Sequence, residues 1–105
     1  NYHKLWYTIE RIGGIRIMKA ILTVVGKDKV GIIAGVSQKL AELNINILDV
    51  SQTIMEDYFT MMMMLQMQPE ADLEAIKQAL SLVENTLSVK ISIQNEEIFN
   101  AMHKL

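Results

Sequence analysis

Apolar residues recur along this chain with two different periods, and the points where the period switches mark its elements. Lys19 to Val25 is β-branched and apolar on both parities, which predicts a strand buried on both faces. Residues 31 to 43 place Ile32, Val36, Leu40 and Leu43 on one helical stripe. Asn44 suits the stop and Asn46 the turn beyond it. Ile45 to Met55 predicts a second strand, with Leu48, Val50 and Ile54 on one face and Asp49, Ser51 and Thr53 on the other. Glu56-Asp57 is a short turn. Tyr58 to Met67 follows as a third strand, with Phe59, Met61, Met63 and Leu65 on its more apolar face. Pro69 ends it, because proline cannot donate to a ladder. Asp72 is placed to cap a second helix. Its buried stripe is Leu73, Ile76, Leu80 and Val83, and its wet side Glu74, Lys77, Gln78 and Glu84. Leu87, Val89, Ile91 and Ile93 then alternate with Ser88, Lys90, Ser92 and Gln94, the pattern of a half-buried strand. Asn95 caps a short final helix with Ile98, Phe99 and Met102 on one side.

The order β-α-β-β-α-β, joined by right-handed crossovers, predicts a four-stranded antiparallel sheet with both helices on one face. This is an α+β, ferredoxin-like βαββαβ sandwich plus a short C-terminal helix. Its first and third strands are central, and the hairpin supplies an edge. Residues 1–17 stand apart: they hold the sole Trp and both Arg residues and show no clear period. They are expected to be a mobile or peripheral N-terminal extension. Gly13-Gly14 can be encoded as GGAGGA, a ribosome-binding sequence, which would make Met18 the natural start. The expected division is an extension over 1–17, one domain over 18–94 and a terminal helix over 95–105.

Composition narrows the function. A chain of 105 residues supports one domain with one modest core. A net charge of −2 argues against a nucleic-acid surface, which needs a basic face. With no cysteine, disulfides, Cys–zinc sites, iron–sulfur clusters and thiol catalysis are excluded. No apolar stretch is long enough to span a bilayer, and the N-terminal residues lack the apolar segment of a signal peptide. A cytoplasmic protein is expected. Met61 to Met64 are consecutive, so on a strand they alternate between faces and cannot converge on one soft ion. A core or interface role is expected of them instead. Thr60, Met62 and Met64 fall on the open face of the sheet, and an apolar outer face invites a second copy. The two histidines, His3 and His103, sit at the two ends. No Ser–His–Asp set, paired-carboxylate site or metal-ligand cluster can be assembled, so no enzyme, metal or cofactor is expected.

The chemistry on offer is ligand capture at the passage from the first strand to the first helix, Gly26-Lys27-Asp28-Lys29-Val30-Gly31. Gly26 can turn the chain out of the sheet. Asp28 can cap the helix start. Gly31 leaves the first turn bare, so that a carboxylate can approach the backbone donors there. Gly35 is expected to let the helix sit close to the sheet. The spacing matches neither a P-loop nor a dinucleotide fingerprint, and tight-turn geometry alone also accounts for both Gly26 and Gly31. Lys27 and Lys29 can steer an anion or simply be solvated. Asn44, Asn46 and Asp49 lie where the first helix returns into the second strand. Their amides and carboxylate suit the polar ends of an amino acid, and equally suit turn and solvent positions.

These residues carry a resemblance. Gly26-Lys27-Asp28-Lys29-Val30-Gly31-Ile32-Ile33-Ala34, and Leu40-Ala41-Glu42 followed by Asn44-Ile45-Asn46-Ile47, resemble the opening loop and the helix-to-strand passage of the ACT domain. The likeness covers residues 18 to 94. Ser51-Gln52-Thr53-Ile54-Met55 and the tail Ile98-Phe99-Asn100-Ala101-Met102-His103 resemble small single-ACT bacterial proteins, similar to the ACT modules of the glycine-cleavage-system transcriptional repressor. The resemblance implies a regulatory fold that binds amino acids or related small metabolites where two modules meet. Carried over position by position, it implies a ligand lying against Gly26, Asp28, Val30, Gly31 and Ile32, with Asn46 and Ile47 supplied by a neighbour. It further implies a homodimer or higher homo-oligomer. The alternative expectation is a ligand-free interaction module whose Met-rich surface docks on a protein target. An acyl-phosphate hydrolase on the same strand order is disfavoured, because no arginine lies in the glycine loop to hold a phosphate.

Overall fold

The computed structural model describes residues 7–68 and 70–95. Pro69, the two histidines and the helix expected over Ile98, Phe99 and Met102 lie outside the described residues. The elements are β1 (Thr8–Ile12), β2 (Ile15–Gly26), α1 (Lys29–Glu42), β3 (Asn46–Met55), β4 (Tyr58–Met67), α2 (Leu73–Leu87) and β5 (Lys90–Gln94). From β2 onward this is the expected β-α-β-β-α-β order. β2 and β4 lie at the centre, paired antiparallel from Met18–Met67 to Gly26–Phe59. β3 pairs with the far side of β4, and β5 with the far side of β2, both antiparallel. The ferredoxin-like sandwich is therefore the observed fold.

β1 is an addition that the sequence patterning did not predict. Thr8–Ile12 folds back on Ile15–Lys19. The turn between them is Gly13 and Gly14, with φ of 59° and 82°. Two successive positive φ values form the tight turn whose twist matches that of a hairpin. β1 and β5 consequently share one side of β2, the first along Ile15–Lys19 and the second along Ile21–Val25.

The two helices are closed at both ends by their own sequence. Asp28 accepts a hydrogen bond from the Gly31 amide (3.2 Å) and Asp72 one from the Ala75 amide (3.1 Å), each satisfying a donor that the helix leaves free. At the end of α1, Asn44 adopts φ 59°. Its amide donates to Ala41 O and that of Ile45 to Leu40 O, the paired bonds of a Schellman stop. Ile45 is buried as the chain turns into β3. Leu22 and Val24 of β2, Ile32, Val36 and Leu40 of α1, and Met61, Met63 and Leu65 of β4 are among the core residues between the sheet and its helices. Each such side chain contributes about 1.5–3 kcal/mol on leaving water.

Four local expectations are corrected. Leu87 belongs to the last turn of α2 and not to a strand. It packs against Gly35, where a Cβ would lie 2.8 Å from Leu87 Cδ1. Gly35 thus lets α1 approach α2, not the sheet. Glu84 is not a wet residue of α2: its Oε2 accepts a hydrogen bond from the Ile91 amide at 2.7 Å, partly buried. Finally, β3 carries a register shift between Ile47 and Asp49. Ile47 therefore faces Leu65 and Val50 faces Met63, placing Ile47 on the core side that simple alternation assigned to Leu48.

Candidate functional site

The loop from β2 into α1 is built by close packing as much as by turn geometry. A Cβ at Gly26 would lie 2.6 Å from Ile32 Cδ1 and 2.7 Å from Val89 Cγ1. The end of β2, the first turn of α1 and the start of β5 therefore converge on a point where only glycine fits. Gly26, Asp28, Val30, Gly31 and Ile32 come together at this corner, with Ile32 directed into the core and Val30 77% exposed.

The space beside Gly31 is occupied by the chain itself. Asp28 Oδ1 accepts from the Gly31 amide, and a Cβ at Gly31 would lie 2.8 Å from Asp28 Oδ2. The Ile32 amide donates to Asp28 O as the first regular helical bond. The Lys29 and Val30 amides precede that first regular helical bond, so α1 itself supplies them no backbone acceptor. The bare first turn expected from Gly31 thus serves the Asp28 cap, whose carboxylate sits where the spacing suggested an incoming one. Lys27 is exposed, its Nζ 5.5 Å from the centroid of the Tyr58 ring. That contact ties the loop to the β3–β4 turn. Tyr58 was not singled out in the sequence, because its proximity follows from the pairing of Gly26 with Phe59 across two strands.

Asn46 and Ile47 lie elsewhere. Asn46 pairs with Gln66, which pairs with Lys19, whereas Phe59 pairs with Gly26. The seven-residue separation of Phe59 and Gln66 along β4 places the two halves of the candidate set about 23 Å apart in one chain. Asp49 is also remote from the loop; its Oδ1 accepts a hydrogen bond from the Val50 amide at 2.9 Å. Asn44 is committed to the helix stop.

Three shallow clefts lie away from the glycine corner. One, of ≈ 170 Å³, is on the open face of the sheet and includes Ile21, Asp49, Ser51, Met62 and Met64. A larger groove of ≈ 420 Å³ runs between the helices beside Gly35, Leu82 and Thr86. The third borders Lys77, Glu84 and Ile93. None of the three contains a residue of the 26–32 loop. Among the described residues, no group of three or more His, Asp or Glu side chains is placed to hold a metal ion. No described helix is long and apolar enough to cross a membrane.

Comparison with known proteins agrees with this architecture. The family model for the ACT domain matches residues 19–94. A UPF0237 protein of Listeria monocytogenes serotype 4b is 64% identical over 89 residues, covering 84% of this chain and the whole of that protein. A UPF0237 protein of Clostridium acetobutylicum is 54% identical over 89 residues, with the same coverage. Among solved structures, an ACT domain protein from Streptococcus pneumoniae superposes with a TM-score of 0.67 at 50% identity, covering 81% of this chain and 97% of that one. A candidate glycine cleavage system transcriptional repressor gives a TM-score of 0.66 at 20% identity over 74% of this chain and 45% of its own, a likeness of fold.

Proposed function

Because this chain belongs to the ACT domain family, in company with the UPF0237 proteins, we propose that it is a non-enzymatic cytoplasmic regulator that binds an amino acid or similar metabolite between two copies of itself. ACT domains are regulatory ligand-binding modules, and that general role is the premise. The carrying observation is the split of the candidate residues. Gly26, Asp28, Val30 and Gly31 lie at one end of the sheet, and Asn46 and Ile47 at the other. A copy related by a two-fold axis, with its β3 running antiparallel, returns its Asn46 end to the glycine end of the first.

A ligand at that junction would meet the first-turn amides of α1, the second oxygen of Asp28 and a partner's Asn46. Those groups complement a carboxylate and an ammonium on one small molecule. Contacts made to both copies differ between subunit arrangements, so ligand shifts the population of arrangements by its difference in affinity. Isothermal titration of the full chain with each amino acid tests this. Micromolar binding to one or a few, lost in Asn46→Ala, is expected; no heat with any amino acid overturns the amino-acid reading.

A rival reading, a ligand-free module docking on a protein target, draws on the exposed Met55 and the half-exposed Met62 and Met64. Absence of amino-acid binding together with a stable complex with one cellular protein would favour it.

A further inference from the structure

The sheet carries its two helices on one face. Leu22 and Val24 of β2 and Met61, Met63 and Leu65 of β4 share the core with residues of α1 and α2. The residues between them on each strand turn to the open face. Paired residues of adjacent strands share a face, so the registers draw rows across it. One row is Gln94 of β5, Ile21 of β2, Met64 of β4 and Asp49 of β3. The next is Ser92, Thr23, Met62 and Ser51. The ≈ 170 Å³ cleft of this face lies along these two rows.

Ile21 is too well covered for an open face. It points away from both helices and is still only 7% exposed. Lys19 and Thr23, on either side of it on the same face, are half-buried. α1 and α2 cannot be the cover, because they pack on the other face. The chain leaves β5 at this same spot. β5 ends at Gln94, the member of Ile21's row that stands beside it, and Asn95 just beyond is 7% exposed as well. The backbone therefore leaves the strand against the protein and not into water. Residues 96–105, which lie outside the described residues, continue from there. Their sequence is that of an amphipathic helix. Asn95 suits its cap, Glu96 and Glu97 its first turn, and His103 and Lys104 its last, the charges that a helix dipole favours. Ile98, Phe99, Met102 and Leu105 fall on one stripe. A helix rises about 1.5 Å per residue and strands lie about 4.8 Å apart, so about three residues of helix cross one strand. Counted from Asn95 beside β5, Ile98 comes over β2, Met102 over β4 and Leu105 to β3.

We propose that residues 96–105 form a helical strap across the open face, seating Ile98 and Phe99 on Ile21 and Met102 against Met62 and Met64. The occupant of the apolar face is then the chain's own segment, and neither a second copy nor a protein target. His103 and Lys104 arrive on the side of the sheet where Asp49 stands, so the strap brings positive charge to the one carboxylate of that row. The inference goes beyond the amino-acid reading, because the glycine corner lies farther along β2 and the strap takes no part in it. It also changes what the methionines can do. A target that docks on Met62 and Met64 binds only those molecules whose strap is off, and its apparent affinity falls by that fraction.

Oxidation of the full chain by dilute hydrogen peroxide, read residue by residue with tandem mass spectrometry, tests the strap. The four consecutive methionines are the reporters, since Met61 and Met63 face the core and Met62 and Met64 the open side. In Phe99→Asp, the oxidation rate of Met62 and Met64 is expected to rise about ten-fold, as the loss of one buried aromatic allows. Met61 and Met63 are expected to stay slow, which reports that the fold holds. In the wild-type protein the Met62 and Met64 rates are expected to be the same at every protein concentration. Unchanged rates in folded Phe99→Asp overturn the proposal. Wild-type rates that rise on dilution assign the face to a second copy and overturn it too. Should Phe99→Asp fail to fold, a crosslink decides. The chain has no cysteine, so Met64→Cys combined with Met102→Cys offers one pair of thiols to a short bismaleimide. That pair is expected to join within one chain, whereas Met55→Cys combined with Met102→Cys stays open, Met55 lying at the far end of β3. Failure of the first pair to join within a chain, or equal joining of both pairs, overturns the strap.

Discussion

At the scale of single residues, the two loop glycines look alike in the sequence but meet different neighbours. At Gly26 a new methyl would collide with Ile32 and Val89, both anchored in the core. Neither can yield without disturbing its own packing. Gly26→Ala is expected to cost about 1–3 kcal/mol in urea denaturation. At Gly31 the atom in the way is Asp28 Oδ2, the end of an exposed side chain that can swing aside. Gly31→Ala then loses a cap worth about 1 kcal/mol and gains a similar amount in helix propensity. Its stability is expected to stay within about 0.5 kcal/mol of wild type, whereas Asp28→Ala loses the cap without compensation. The Asp28 and Asp72 caps were legible because capping is written within three residues of sequence. The partner of Gly35 was not, because Leu87 is brought to it by the packing of two distant helices. Tyr58 escaped notice for the same reason, since Lys27 is distant from it in sequence, whereas Glu84 was misjudged because the turn from α2 into β5 folds the Ile91 amide back onto it.

At the scale of elements, the strands whose sides differ in polarity were legible and the exceptions had local causes. Tyr58 to Met67 was readable to its ends because Phe59, Met61, Met63, Leu65 and Met67 all face one core. Leu87 continued an alternating pattern, yet its helical position is fixed by contact with α1. The shift between Ile47 and Asp49 has no signature in the residue types on either side of it. β1 did have a signal: Gly-Gly between short isoleucine-bearing runs is a two-residue hairpin pattern, obscured because the runs are brief and arginine-interrupted. Both glycines have open space where a Cβ would stand, so the constraint there is conformational and not steric. Gly13→Asn, which tolerates positive φ, is expected to preserve the hairpin. Gly14→Val is expected to release it, a β-branched residue being disfavoured at positive φ. Amide hydrogen exchange reads the outcome: β1 protection falls in Gly14→Val while the β2–β4 ladder keeps its own.

At the scale of the whole molecule, the proposed site and the proposed pairing share one free-energy cycle. A single chain holds Asn46 and the glycine corner at opposite ends of its sheet, so contact with the whole proposed set requires two chains. Ligand must therefore bind the paired form more tightly than the single one, and by linkage it must strengthen pairing by the same factor. If the paired form binds about 100-fold more tightly at each of two equivalent sites, saturating ligand strengthens the dimer by about 10⁴-fold, or about 5.5 kcal/mol. Dilution in an analytical ultracentrifuge, with and without the amino acid found by calorimetry, measures that factor. The dimer dissociation constant is expected to fall steeply in the presence of ligand. It is expected to respond far less in Asn46→Ala, where the contribution of the second chain is removed but the β3 rim remains. A dissociation constant indifferent to saturating ligand would mean that each chain binds alone, and the regulatory signal would then have to leave by a surface other than β3.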